Sequence, residues 1–221
     1  MLELSLAEKV AVWLLPILFA VTLHEAAHGY VAYKLGDDTA FLQGRISANP
    51  FKHIDLLGTI VIPLILMLTS PFIFGWAKPV PVDTRRLRHP ARDTALVAAA
   101  GPLSNFLMAI GWAIIIKLGI WILRSKPQFQ DIGVGLTLMG QAGIMINLTL
   151  AVLNMIPIPP LDGSRIVSYI LPARAAMIYE KITPFGFVIV LLLIFAGILT
   201  AILGPAVGWL SQALLTVFQI K

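Results

Sequence analysis

His24, Glu25 and His28 form an H-E-x-x-H run inside an otherwise apolar stretch. Residues four apart on a helix share one face, so the two imidazoles can grip a single Zn²⁺. Glu25 is displaced from that face by one residue, where it acts on metal-bound water rather than on the metal. A hydrolytic zinc takes three protein ligands and keeps a fourth position open. The candidate third ligand is Asp162, in the segment Asn154-Met-Ile-Pro-Ile-Pro-Pro-Leu-Asp162-Gly163. Pro157, Pro159 and Pro160 cannot continue a helical ladder, so the chain unwinds before Asp162 and presents it on a stiff arm. Such a set is suited to hydrolysis, with zinc acidifying a water and Glu25 taking its proton. The plainer reading is that each polar group merely ends a helix at an interface. The two motifs together weigh against it.

The elements that must position these residues are membrane spans. Of 221 residues, 58% are hydrophobic and 12% charged, against about 25% charged in soluble proteins. So few charges cannot coat a water-soluble globule, which excludes a soluble enzyme, a disordered chain and, despite the net charge of +5, a nucleic-acid binder. With no Cys, disulfides and thiolate chemistry are excluded too. The N-terminal stretch, with Glu3 and Glu8 against Lys9, does not read as a cleavable signal. A carboxylate deep in a span costs about 2.5–3.5 kcal/mol, so Glu25 is expected to line a site.

The sequence predicts an all-α membrane protein: a polytopic helix bundle of about five spans plus a re-entrant segment, one domain over residues 1–221. Spans are expected at 10–33, at 94–123 and at 132–161, the last leading into the Asp162 arm. A C-terminal helical hairpin is expected over 182–220, interrupted at Gly204-Pro205. Short membrane-associated β strands are expected near Ala40 to Ser47 and Ala77 to Val82, Pro limiting the second to an edge. His53 and His89 read as solvated or headgroup-facing. Arg85, Arg86, Arg88 and Arg92 read as a topology determinant.

Topology follows from the ligands. The His pair and Asp162 both lie at the C-terminal ends of their segments, so these must cross the bilayer in the same direction. The 94–123 span supplies the one return crossing. Residues 56–77, with Gly58, Pro63, Pro71 and Gly75, must then enter and leave on one face. In that arrangement all Lys and Arg except Lys9, Lys117, Arg124 and Lys126 fall on the metal's side, which the positive-inside rule makes cytoplasmic.

The chain resembles the site-2 proteases, intramembrane zinc metalloproteases of peptidase family M50, in a compact form without PDZ or CBS domain. Three motifs carry the resemblance: His24-Glu25-x-x-His28, Gly101-Pro102-x-x-Asn105, and Asn154-x-x-Pro157-x-x-Pro160-Leu161-Asp162-Gly163. It implies one Zn²⁺ per chain on His24, His28 and Asp162, with Glu25 as general base. It also implies cleavage of a transmembrane segment of a single-span or membrane-anchored substrate near the cytoplasmic face, in a prokaryotic cell (inner) membrane. Asn105 and Asn154 would lie near the cleft and orient substrate, and strands near Gly44 and Lys78 would dock it. No nucleic acid is expected as partner. Oligomeric state, substrate identity and regulation are not legible. The alternatives are a membrane metal-ion carrier, disfavoured by the lack of an internal repeat, and a catalytically inactive binding scaffold.

Overall fold

The computed structural model describes residues 5–61, 65 and 77–220. Helix α1 (Leu6–Leu35) opens on a capping box, in which Glu8 N–H donates to Ser5 Oγ and Ser5 N–H to the Glu8 carboxylate. It closes at Gly36, whose φ of +115° puts it in the left-handed region, a conformation glycine adopts at little cost. After a single turn, α2 (Thr39–Leu42), and a turn at Pro50–Lys52, α3 spans Pro90–Ser125. Its first turn is closed by Asp93, which accepts from the His89 N–H. Helix α4 (Gln130–Asn154) follows and stops before the proline arm. Four helices complete the chain: α5 (Asp162–Ile170), α6 (Ala173–Glu180), α7 (Thr183–Phe195) and α8 (Ile198–Val217).

The pair α3 and α4 is the most extensive in the bundle, with α1 against both, α5 against α3 and α8 against α4. Its centre is Ala109, Trp112, Ala113, Ile116, Ile144 and Leu148, joined by Val207 from α8. Between helices in a bilayer, close packing replaces the hydrophobic drive. Gly143 allows it here, since a side chain there would collide with the Trp112 ring. Large apolar side chains such as Trp13, Leu14, Phe19, Leu103, Leu107 and Ile114 face outward, where lipid rather than water covers them.

Helices α1, α3, α4 and α8 are long and apolar enough to cross a membrane, and α6 with α7, bent by 65° at their junction, make up to a fifth span. The chain is an integral membrane helix bundle. Two expectations need correction. No β strand forms among the described residues: Thr39–Leu42 is helical, Gly44 turns the chain at φ +61°, and 77–83 is irregular and unpaired. Pro79 and Pro81 lack N–H groups, so a ladder cannot form through them. The C-terminal break also falls at Ala196-Gly197, with Gly197 at φ +72°, while α8 runs on through Gly204 and Pro205. A span can absorb the one ladder bond that proline removes. The expected re-entrant segment begins as a π-helical turn at Leu56–Val61; residues 62–64 and 66–76 lie outside the described residues.

Candidate metal centre

His24 and His28 project from the C-terminal half of α1 toward the start of α5, where Asp162 is the first helical residue. The three residues each offer one ligand atom, all within 4.8 Å of one another. His24 Nε2 is 3.1 Å from His28 Nε2, and the Asp162 Oδ2 oxygen is 3.2 Å from the first and 3.4 Å from the second. Ligands at the ~2.05 Å of a tetrahedral zinc stand about 3.3 Å apart, so the donor set has the spacing zinc requires.

The opposite edges of the two rings fix their tautomers. His24 Nδ1–H donates to Asn105 Oδ1 at 2.6 Å, and His28 Nδ1–H donates to the Val97 carbonyl at 2.7 Å. Neither acceptor can donate, so in each neutral ring the proton sits on Nδ1 and the Nε2 lone pair points at the shared centre. Asp162 Oδ2 is buried without a hydrogen-bond donor. Three lone-pair atoms thus converge where no proton separates them, an arrangement that a cation satisfies. Zinc fits this site. The side chains of His24, His28 and Asp162 keep only 10%, 12% and 16% of their exposure, leaving a narrow approach.

The backbone makes room for this cluster. A Cβ on Gly101 would lie 2.5 Å from His28 Nε2 and 2.6 Å from His24 Nε2. Gly163 is similarly confined, since a side chain there would collide with the Met155 carbonyl. The arm between is folded on itself, with Ile158 N–H donating to the Ile156 carbonyl and Leu161 N–H to that of Ile158.

Glu25, the neighbour of His24, has its Oε2 accepting from the Val80 N–H at 2.8 Å. Asn105 is wholly buried behind His24; its Nδ2 donates to the Ala20 carbonyl and to Asn147 Oδ1, and Asn147 Nδ2 donates to the Gly143 carbonyl. Asn154 bonds within its own helix, to the Leu150 carbonyl. In the sequence Gly101 stands out only as part of the Gly101-Pro102-x-x-Asn105 motif and Val80 only as part of the edge expected to dock substrate, while Val97 and Asn147 have no assigned role. Asn147, an amide in an apolar span, was the one with a readable signal. His53 is corrected: it is 2% exposed, with Nε2 bonded to the Ser47 carbonyl, because the loop folds back over it. His89 is exposed, as expected. Outside the cluster, Arg85 hydrogen-bonds to Asp83 and holds that carboxyl below its usual range. A cleft of about 610 Å³ between α4 and α8 is lined by residues such as Gln141, Ile144, Thr200 and Val207 and by no metal-ligating group.

A helix bundle with a two-histidine, one-carboxylate centre at the end of a span defines a membrane metalloprotease in which zinc is the metal. The model of "Peptidase family M50" matches residues 122–197, which carry the Asp162 arm. The chain is 35% identical to "Putative zinc metalloprotease YwhC" of Bacillus subtilis over 204 residues, 92% of this chain and 89% of that one. It is 26% identical to "Putative zinc metalloprotease Rip2" of Mycolicibacterium smegmatis over 192 residues, 87% and 70% of the two chains. A 77-residue stretch is 38% identical to "Putative zinc metalloprotease MJ0611" of Methanocaldococcus jannaschii, 35% of each chain. No solved structure matches. The chain belongs to peptidase family M50, the site-2 proteases.

Proposed function

We propose that this metalloprotease cleaves a peptide bond within the transmembrane segment of a single-span or membrane-anchored substrate. The observation that carries the reading is the convergence of two Nε2 lone pairs and a buried carboxylate oxygen on one point, one residue from Glu25, in a helix apolar enough to span. His24, His28 and Asp162 hold the zinc, and Glu25 is the general base. When bound, zinc polarises the scissile carbonyl and acidifies the attacking water. Glu25 takes the water's proton and returns it to the leaving amine. Asn105 and the Val97 carbonyl keep both imidazoles turned toward the metal. The substrate helix must unwind locally, because its own ladder shields the scissile bond.

The excess of Lys and Arg on the loops joined to the metal's end of α1 and α4 supports a centre near the cytoplasmic face, in a prokaryotic cell membrane. The test uses purified, zinc-loaded protein and single-span substrates in proteoliposomes. Wild type should cleave within the apolar segment, and Glu25→Gln should keep one zinc per chain while losing cleavage by at least a hundredfold. A Glu25→Gln protein that cleaves normally would reject the base. Zinc flux across the vesicle without cleavage would favour a carrier instead.

A further inference from the structure

The contact between Glu25 and Val80 joins α1 to a segment far from it in sequence, and that segment is pinned at each step. Lys78 N–H donates to the His53 carbonyl at 2.9 Å. The Lys78 carbonyl accepts from Arg45 Nη2 at 2.8 Å, and the Pro79 carbonyl accepts from the same nitrogen at 3.4 Å. Asp83 N–H donates to the buried Asp37 carboxylate at 2.7 Å. Val80 itself is buried and rests on Gly29, one turn beyond Glu25 on α1, where an added Cβ would lie 3.0 Å from Val80 Cγ1. Because Pro79 and Pro81 have no N–H, Val80 supplies the only amide hydrogen of that tripeptide, and Glu25 takes it.

Arg45 is the unexplained part. Its side chain is buried, with the residue 8% exposed; no carboxylate pairs with it among the described residues, and its Nε has no acceptor. Burying a guanidinium on carbonyl partners alone is costly. The cost is rationalised if the placement of residues 78–80 matters to the chemistry.

We propose that Arg45 is a positioning residue for the base: it clamps Lys78 and Pro79 so that the Val80 N–H fixes Glu25 Oε2, leaving Oε1 to move the proton. This rests on Glu25 being the base. It also assigns the 78–80 segment to the enzyme's own carboxylate, since the N–H groups of Lys78 and Val80 that an edge strand would offer to substrate are already bonded.

The test compares zinc-loaded full-length variants on a cleaved single-span substrate. Val80→Pro deletes the donor and keeps apolar bulk, whereas Val80→Ala keeps the donor and trims the side chain. Misplacing a catalytic group by about 1 Å can cost roughly a hundredfold, so Val80→Pro and Arg45→Met should lower kcat by about ten- to a hundredfold. KM should stay within about twofold and zinc at one per chain. Arg45→Lys should recover part of the loss, and Val80→Ala should remain at least about fivefold faster than Val80→Pro. A second readout does not depend on activity: hydrogen exchange in a Lys78-to-Pro81 peptide, which reports the Val80 amide. Glu25→Ala and Arg45→Met should each speed that exchange by about tenfold or more. The proposal is overturned if Val80→Pro keeps wild-type kcat, or if Val80 exchange is unmoved in both variants. Normal cleavage by Glu25→Gln would instead overturn the base, with the exchange result standing apart.

Discussion

Gly101 matters for what it lacks. Both metal-facing nitrogens press against the position its side chain would take, with separations of 2.5 and 2.6 Å, closer than real Cβ atoms approach. A methyl group there must push both imidazoles off the shared point, and helix backbone on either side leaves little room to yield. Gly101→Ala should therefore retain helicity by circular dichroism but bind well under one zinc per chain, measured on purified protein by metal analysis. Asn105 acts on the same rings from behind. Without its Oδ1 the His24 ring loses the acceptor that fixes its tautomer, and such partners are worth about 10–100-fold in metal affinity. Asn105→Ala should bind zinc weaker by that factor in a chelator competition, with the folded fraction unchanged. Equal affinity would mean that packing alone orients His24.

At the scale of elements, the proline arm decides where Asp162 sits. It is braced by α6, where the Tyr179 hydroxyl donates to the Pro157 carbonyl at 2.9 Å, and by α7, where Gly186 packs so closely that a side chain would collide with the Pro159 carbonyl. Gly186→Val touches no ligand, yet it should displace the arm and weaken zinc binding by about tenfold or more. The same chelator competition reads this, and unchanged affinity would show that the arm yields without moving Asp162. The convergence of His24, His28 and Asp162 was legible because H-E-x-x-H is a local spacing with fixed helical consequences, and because three prolines dictate an unwound arm whatever surrounds them. The spans were legible from uncharged length. What escaped the sequence was set by tertiary approach. The Val97 carbonyl and the Val80 N–H belong to every residue alike, Gly186 carries no chemistry to flag it, and the motif that holds Gly101 does not say that both imidazoles press against it. The strand expected at 77–82 failed because β-like composition says nothing about partners, and the N–H groups of Lys78 and Val80 found His53 and Glu25 instead. Gly204-Pro205 looked like a break because both residues disfavour helix, but the left-handed Gly197 ends α7 first, and α8 then runs through the pair.

Across the whole molecule, the centre links the first span to an arm that follows the third long helix, and no covalent cross-link is available in a chain without Cys. Zinc held there would tie together segments distant in sequence, and its binding free energy would add to the stability of the folded bundle. With free zinc at about a hundredfold above its dissociation constant, that contribution is about 2.7 kcal/mol. Chelator treatment of wild type should accordingly lower the thermal unfolding midpoint in detergent, and restored zinc should raise it again. Asp162→Asn, which replaces the anionic ligand with a neutral amide while keeping its size, should unfold near the stripped wild-type temperature and respond little to either treatment. The intrinsic fluorescence of Trp112, buried between α3 and α4, gives a site-remote report of the same transition. If stripped and loaded wild type unfold together, the metal would be held by a bundle already rigid without it, and its place would be catalytic alone.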